Sequence, residues 1–164
     1  TAEKSIGAPL AATLVQAKQD PAAIKPKKAR QKMEKRTLGK TGEQLTIVGF
    51  GGIAVRDESP EDAANLVAKA VNERGINYFD VAPSYGNAQP LLGPALEPYR
   101  QDVFLACKTG DRTAKGAKHE LAQSLQDLRT DHLDLYQLHA MKTTIYAERQ
   151  LKIVPMELTM RVIS

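Results

Sequence analysis

The chain has 164 residues, of which 42% are hydrophobic and 26% charged, and its formal net charge is +4 at pH 7. These values are typical of one soluble globular domain and argue against a fibrous or membrane-spanning protein. The positive charge lies in residues 1 to 36, which hold nine Lys and Arg against three Asp and Glu, so the rest of the chain gives no electrostatic reason to expect a nucleic-acid partner.

The first 35 residues are predicted to be a flexible leader or the remnant of a signal peptide. Residues 6 to 17 form a short apolar stretch that ends in Val-Gln-Ala, and a segment rich in Lys and Pro follows. The apolar stretch is too short to span a bilayer, but it is similar to the later part of a secretory signal with cleavage after Ala17. Two locations therefore stay open: cytoplasmic with a disordered leader, or periplasmic if residues 1 to 17 remain from a signal peptide.

A small β-hairpin is predicted over residues 36 to 45, because Gly39 and Gly42 flank a two-residue connection. The apolar run at residues 45 to 50 then predicts the first strand of a larger sheet, which ends at Gly51.

The glycines after this strand match a dinucleotide-binding fingerprint. Gly49-Phe50-Gly51-Gly52-Ile53-Ala54 fits the G-x-G-x-x-A pattern of a Rossmann fold. That pattern requires a helix directly after the glycines and an acid about 20 residues on. Here the helix signals begin at Ser59, and Asp80 lies 29 residues beyond Gly51. We therefore favour a (β/α) barrel, in which these glycines let the backbone approach a ligand.

Three helices are predicted between the strands. The first has a Ser59 cap, Pro60 in its first turn, an apolar stripe and a stop at Gly75. A shorter helix is predicted at residues 91 to 96, and a third at residues 119 to 129.

Three further apolar runs, at residues 76 to 80, 103 to 108 and 132 to 139, predict strands that end in Asp80, Lys108 and His139. The strand ends from Gly51 onward are separated by 29, 28 and 31 residues, a period that leaves room for one helix and two loops. The pattern predicts an α/β fold, a TIM-type (β/α) barrel of which about the first four βα units are present, preceded by the hairpin.

Cysteine and histidine usage indicates no metal site. One cysteine excludes an internal disulfide, and Cys107 lies in an apolar run, which predicts a buried structural thiol. The three histidines lack CxxC or HExxH spacing. His119 and His132 are predicted to lie on the surface.

Parallel strands place their equivalent ends at one rim, so Asp80, Lys108 and His139 are predicted to meet there with Tyr85. A nearby ammonium favours the charged form of a phenol, so Lys108 can activate Tyr85, while Asp80 keeps Lys108 charged. His139 can orient a substrate carbonyl oxygen. A proton donor and an oxyanion site without a nucleophile or metal suit carbonyl reduction by hydride from a cofactor.

The motif Phe79-Asp80-Val81-Ala82-Pro83-Ser84-Tyr85-Gly86, with Lys108 and His139 at later strand ends, resembles the aldo-keto reductase family over residues 36 to 141. The resemblance implies NADP(H)-dependent reduction of aldehydes or ketones to alcohols, with Asp80, Tyr85, Lys108 and His139 as the catalytic tetrad and Tyr85 as general acid. It also implies that Gly51, Gly52, Ile53 and Asp80 bind the cofactor, and that the substrate is a small carbonyl compound.

Residues 142 to 164 are predicted to be a divergent tail with one or two strands. A complete barrel typically needs about 250 residues, so the chain is expected to be a truncated or divergent product with two unpaired sheet edges. This leaves an alternative function, a catalytically incomplete half-barrel that binds a partner or self-associates through these edges.

Overall fold

The computed structural model describes residues 32–140. The predicted tail at residues 142 to 164, the signal remnant at residues 1 to 17 and all but the last four residues of the leader lie outside the described residues. The described strands are β1 Lys35–Thr37, β2 Gln44–Thr46, β3 Phe50–Gly51, β4 Tyr78–Asp80, β5 Phe104–Thr109 and β6 Leu135–Leu138, and the α-helices are α1 Pro60–Ala68, α2 Ala88–Leu96 and α3 Ala114–Asp127.

The main sheet has four parallel strands in the order β3-β4-β5-β6. Each strand pairs with the next one along the chain, and a helical segment lies between β3 and β4, β4 and β5, and β5 and β6. This is the predicted repetition of βα units, so the fold class and the partial barrel are confirmed. Within residues 32–140, β3 and β6 each have one strand neighbour.

The N-terminal hairpin is confirmed, but the prediction for the strand after it is wrong in detail. β1 and β2 pair antiparallel, with Thr37 opposite Gln44. The apolar run at residues 45 to 50 is divided between β2 and β3, and its middle residues Ile47 and Val48 are each 49% exposed. The run splits because Leu45 and Thr46 belong to the hairpin, whereas Phe50 pairs with Phe79 of β4 in the main sheet.

The helices begin where side-chain caps hold their first turns. Ser59 Oγ accepts a hydrogen bond from Asp62 N at the start of α1, and after a π-helical turn Gly75 ends the segment with φ of +68°, as predicted. α3 starts at Ala114, five residues earlier than predicted, because Thr113 Oγ1 caps it by accepting from Gly116 N at 3.0 Å. α2 also starts earlier than predicted and contains Pro94.

The core lies between the sheet and the three helices. Its largest fully buried side chains include Phe79, Leu92, Leu96 and Leu105. Cys107 is fully buried, as predicted. Burial raises the pKa of its thiol against the lowering effect of hydrogen bonds such as that with Ser124.

A largely buried polar network joins the starts of β5 and β6 and includes the backbone carbonyl of His132. Arg100 Nη2 donates to Asp134 Oδ2 at 3.0 Å and to the carbonyl of His132 at 2.9 Å. The same Asp134 oxygen accepts from Leu105 N at 2.8 Å. The His132 side chain is only 19% exposed, which is less than its predicted surface position implies.

No helix in the described part of the chain is long and apolar enough to cross a membrane.

Candidate active site

Asp80, Tyr85, Lys108 and His139 lie together at the C-terminal ends of the parallel strands. Asp80 is the last residue of β4, Lys108 is the next-to-last residue of β5, and His139 directly follows β6. Tyr85 lies in the loop after β4. The sheet register sets this proximity, because Asp80 pairs with Ala106 and Lys108 with Gln137.

Lys108 is the centre of the cluster. Its ammonium Nζ forms an ion pair with Asp80 Oδ1 and donates to the Tyr85 hydroxyl at 3.3 Å and to the Val81 carbonyl at 3.3 Å. The Lys108 side chain is 12% exposed and that of Asp80 is 26% exposed. The cation is therefore largely withdrawn from water and surrounded by oxygen acceptors on three sides.

Two opposing effects act on the pKa of Lys108. Burial is the largest and lowers it, because a low-dielectric surrounding disfavours the ammonium. The hydrogen bonds with Asp80 and Tyr85, together with the charge of Asp80, raise it. The net pKa of Lys108 is raised above its ordinary value, so the side chain is a cation at neutral pH.

A tight turn holds Tyr85 at the rim. Tyr85 N donates to Ala82 O at 3.1 Å, and Ala88 N donates to Tyr85 O at 3.3 Å. Gly86 between these bonds has φ of +61°, a left-handed conformation that glycine adopts without a steric penalty. The Tyr85 ring then meets the His139 ring edge-on, with centroids 5.7 Å apart and planes at 84°.

His139 is held through both its backbone and its ring. Its backbone N donates to Thr109 O at 2.9 Å, and its carbonyl accepts from the Arg112 guanidinium. Its ring atom Nδ1 lies 3.2 Å from Ser84 Oγ. Sequence reasoning assigned no role to Arg112 or Ser84. The position of Ser84 directly before Tyr85 was a usable signal, whereas nothing in the sequence around Arg112 indicated its contact.

The glycines and Ile53 border the same rim. Gly51 pairs with Asp80 across β3 and β4. An added Cβ at Gly51 would have no neighbour closer than Ile53 Cγ2 at 4.0 Å, whereas one at Gly52 would meet Val81 Cγ2 at 2.8 Å. Ile53 is 46% exposed. Gly51 and Ile53 thus border open space, while the absence of a side chain at Gly52 lets the backbone after β3 pack closely against Val81 after β4.

Comparison with known proteins gives a consistent family relationship. The sequence profile described as the Aldo/keto reductase family matches residues 47–163. This range continues past residue 141, where the resemblance was predicted to end. Among curated proteins, the chain is 35% identical over 121 residues to the uncharacterized oxidoreductase YqkF of Bacillus subtilis, covering 65% of this chain and 39% of that protein.

A plant enzyme and a solved structure are similarly related. The chain is 33% identical over 122 residues to L-galactose dehydrogenase of Arabidopsis thaliana, covering 66% of this chain and 38% of that enzyme. The holo form of aldo-keto reductase AKR11C1 from Bacillus halodurans superposes with a TM-score of 0.60 at 32% identity, covering 65% of this chain and 40% of that one. The chain thus spans about two fifths of the length of these relatives.

Proposed function

The chain belongs to the aldo/keto reductase family, and we propose that its rim residues serve an NADP(H)-dependent oxidoreductase that reduces small aldehydes or ketones to alcohols. The observation that carries this proposal is the position of the Lys108 ammonium, which contacts both the Asp80 carboxylate and the Tyr85 hydroxyl. The ammonium lies 3.3 Å from the oxygen on which negative charge would develop during proton transfer, and a fixed cation stabilises such charge.

Tyr85 is the proposed general acid. As the carbonyl carbon accepts a hydride, the carbonyl oxygen gains negative charge and takes the Tyr85 hydroxyl proton, which leaves a phenolate 3.3 Å from Lys108 Nζ. Asp80 keeps Lys108 charged and oriented throughout. His139, edge-on to Tyr85, donates a hydrogen bond to the same oxygen and so holds it beside the proton donor.

The residues at the rim fit the reactive end of NADP(H), which supplies the hydride when bound. The backbone at Gly51 is open, and the exposed Ile53 offers an apolar surface suited to one face of a nicotinamide ring. Gly51, Gly52, Ile53 and Asp80 are therefore the proposed cofactor contacts within the described residues. A solved structure similar to this chain is a holo form, which supports the proposal that the chain binds a cofactor.

NADPH oxidation by the 164-residue chain tests this function. With a small aldehyde we expect loss of NADPH absorbance and formation of the alcohol, and with NADPH alone we expect a saturable change in cofactor fluorescence. Absence of both signals in folded protein would contradict the proposal, whereas binding without turnover would restrict the chain to cofactor recognition.

A second candidate function is a noncatalytic half-barrel that self-associates. It is favoured by the single-sided pairing of β3 and β6 within residues 32–140 and by the exposed side chains of Ile47 and Val48. Unpaired strand edges with adjacent apolar residues promote association between chains. Sedimentation velocity measures this directly: a concentration-dependent dimer supports it, and a well-folded monomer at all concentrations contradicts it.

A further inference from the structure

Ser84 and Tyr85 both contact the imidazole of His139, but Ser84 has no role in the proposed carbonyl reduction. Ser84 Oγ lies 3.2 Å from His139 Nδ1, across 55 positions of sequence. Tyr85, the next residue, packs edge-on against the same ring. Two consecutive side chains therefore hold one histidine, one by a hydrogen bond and one by ring packing.

The backbone on both sides fixes this contact. The Ala82-to-Tyr85 turn, closed by a 3.1 Å hydrogen bond, sets the position of Ser84. His139 is anchored by its hydrogen bonds with Thr109 and Arg112. The Ser84 side chain has a single χ angle with three staggered positions, and the one it adopts places Oγ 3.2 Å from Nδ1.

The contact between Ser84 and His139 affects which nitrogen of the imidazole carries the proton. A neutral imidazole carries its proton on one ring nitrogen and accepts at the other, and the hydrogen bond at one nitrogen decides which. To donate to a carbonyl oxygen through Nε2, His139 needs Nδ1 as the acceptor. A serine hydroxyl can supply the required donor, whereas the opposite tautomer would direct an Nε2 lone pair at the carbonyl oxygen.

We propose that Ser84 is a positioning residue that donates its hydroxyl proton to His139 Nδ1 and thereby keeps the His139 proton on Nε2, facing the substrate carbonyl. This role rests on the proposed carbonyl reduction. In this proposal Ser84, the residue before the general acid Tyr85, selects the tautomer of His139.

The tautomer is measurable by ¹⁵N NMR of the ring nitrogens, without substrate or cofactor. The chain has three histidines, so His119 and His132 act as internal references, and a His139→Gln variant assigns the His139 signals. We expect the Nε2-protonated form in the wild type at a pH where the ring is neutral. We expect more of the Nδ1-protonated form in Ser84→Ala and wild-type behaviour in Ser84→Thr, which retains a hydroxyl.

Kinetics provide the second measurement. Loss of one orienting hydrogen bond should lower kcat about five- to tenfold in Ser84→Ala with KM and NADPH affinity unchanged, and Ser84→Thr should restore the rate. A wild-type His139 protonated on Nδ1, or a tautomer ratio that Ser84→Ala leaves unchanged, would overturn the proposal. If the tautomer shifts as expected while the wild type neither binds NADPH nor reduces a carbonyl, the proposed function fails and the Ser84 contact stands.

Discussion

The Nζ atom of Lys108 lies 3.3 Å from the hydroxyl oxygen of Tyr85 but 5.0 Å from the centre of its ring. The cation thus lies beside the hydroxyl, where it would stabilise a negative oxygen, and also within cation–π distance of the ring. In the proposed reaction, Lys108 is therefore the electrostatic partner of the Tyr85 oxygen.

Tyr85→Phe should abolish most carbonyl reduction while leaving the fold intact. The ring that packs against His139 remains, and only the hydroxyl beside Lys108 is lost. A positioned general acid contributes about a hundredfold to ten-thousandfold, so we expect a rate loss in that range with unchanged NADPH affinity. Tyr99→Phe is the matched control, because its hydroxyl accepts from Asn72 at 3.0 Å outside the four-residue cluster. An equal loss in both variants, or full activity in Tyr85→Phe, would be incompatible with the assigned role.

Asp80→Asn should change how stability depends on pH. The folded pKa of Lys108 is raised, so its contribution to stability is fully present below its unfolded value of about 10.4 and is lost as pH rises through the folded value. Without the Asp80 charge, burial of the ammonium opposes folding at neutral pH. We expect the free energy of unfolding at pH 7 to fall by about 1 to 2 kcal/mol, and the difference from wild type to shrink only as pH rises above about 10.4 and through the folded pKa.

Urea unfolding at a series of pH values measures this difference, and Asp57→Asn provides the control. Asp57 pairs with Arg56 at 2.7 Å, but both side chains are more than half exposed, and arginine does not lose its proton in this range. The control should show a small difference that is constant with pH. A constant difference for Asp80→Asn as well would remove the electrostatic interpretation.

Gly51 and Gly52 should respond differently to alanine. A Cβ at Gly52 would lie 2.8 Å from Val81 Cγ2 and 3.1 Å from the Asp80 carbonyl, so Gly52→Ala should cost about 1 to 3 kcal/mol of stability. Gly51 has φ of −75° and open space beside it, so Gly51→Ala should fold normally. If Gly51 contacts the nicotinamide, the added methyl should weaken NADPH binding about tenfold. Unchanged binding by folded Gly51→Ala would remove this residue from the proposed cofactor site.

Asp134→Ala should destabilise the fold without acting at the candidate active site. Its carboxylate accepts from both Arg100 and Leu105 N near the starts of β5 and β6, so its removal leaves a largely buried guanidinium without this partner. We expect a loss of about 2 to 4 kcal/mol by chemical denaturation. Glu97→Ala, which breaks an exposed pair with Arg129 at 3.6 Å, should change stability by less than about 0.5 kcal/mol. Similar effects of the two variants would argue against the buried network.

The strand ends were predictable because each apolar run stops at a polar residue. The parallel register of the strands places Asp80, Lys108 and His139 at one rim. The start of α1 was equally predictable, because the Ser59 cap and Pro60 in the first turn act within a few residues of the helix start. These features depend on short stretches of sequence and on the regular spacing of βα units.

Other features depend on contacts that the local sequence does not encode. The apolar run at residues 45 to 50 looks continuous, yet it divides because Leu45 pairs with Arg36 in the hairpin and Phe50 pairs with Phe79 in the main sheet. The contacts of His139 with Ser84 and Arg112 span 55 and 27 positions. Their geometry follows from the assembled rim, and the position of Ser84 directly before Tyr85 was the one local signal for either contact.

The most direct test of the central claim is hydride transfer from NADPH carrying deuterium at both C4 positions of its nicotinamide. With a small aldehyde and the 164-residue chain, we predict an alcohol that contains one deuterium on its carbinol carbon by mass spectrometry. Formation should fall at least about a hundredfold in Tyr85→Phe. NADPH binding without any deuterated alcohol, or equal deuterated product from wild type and Tyr85→Phe, would contradict carbonyl reduction with Tyr85 as the proton donor.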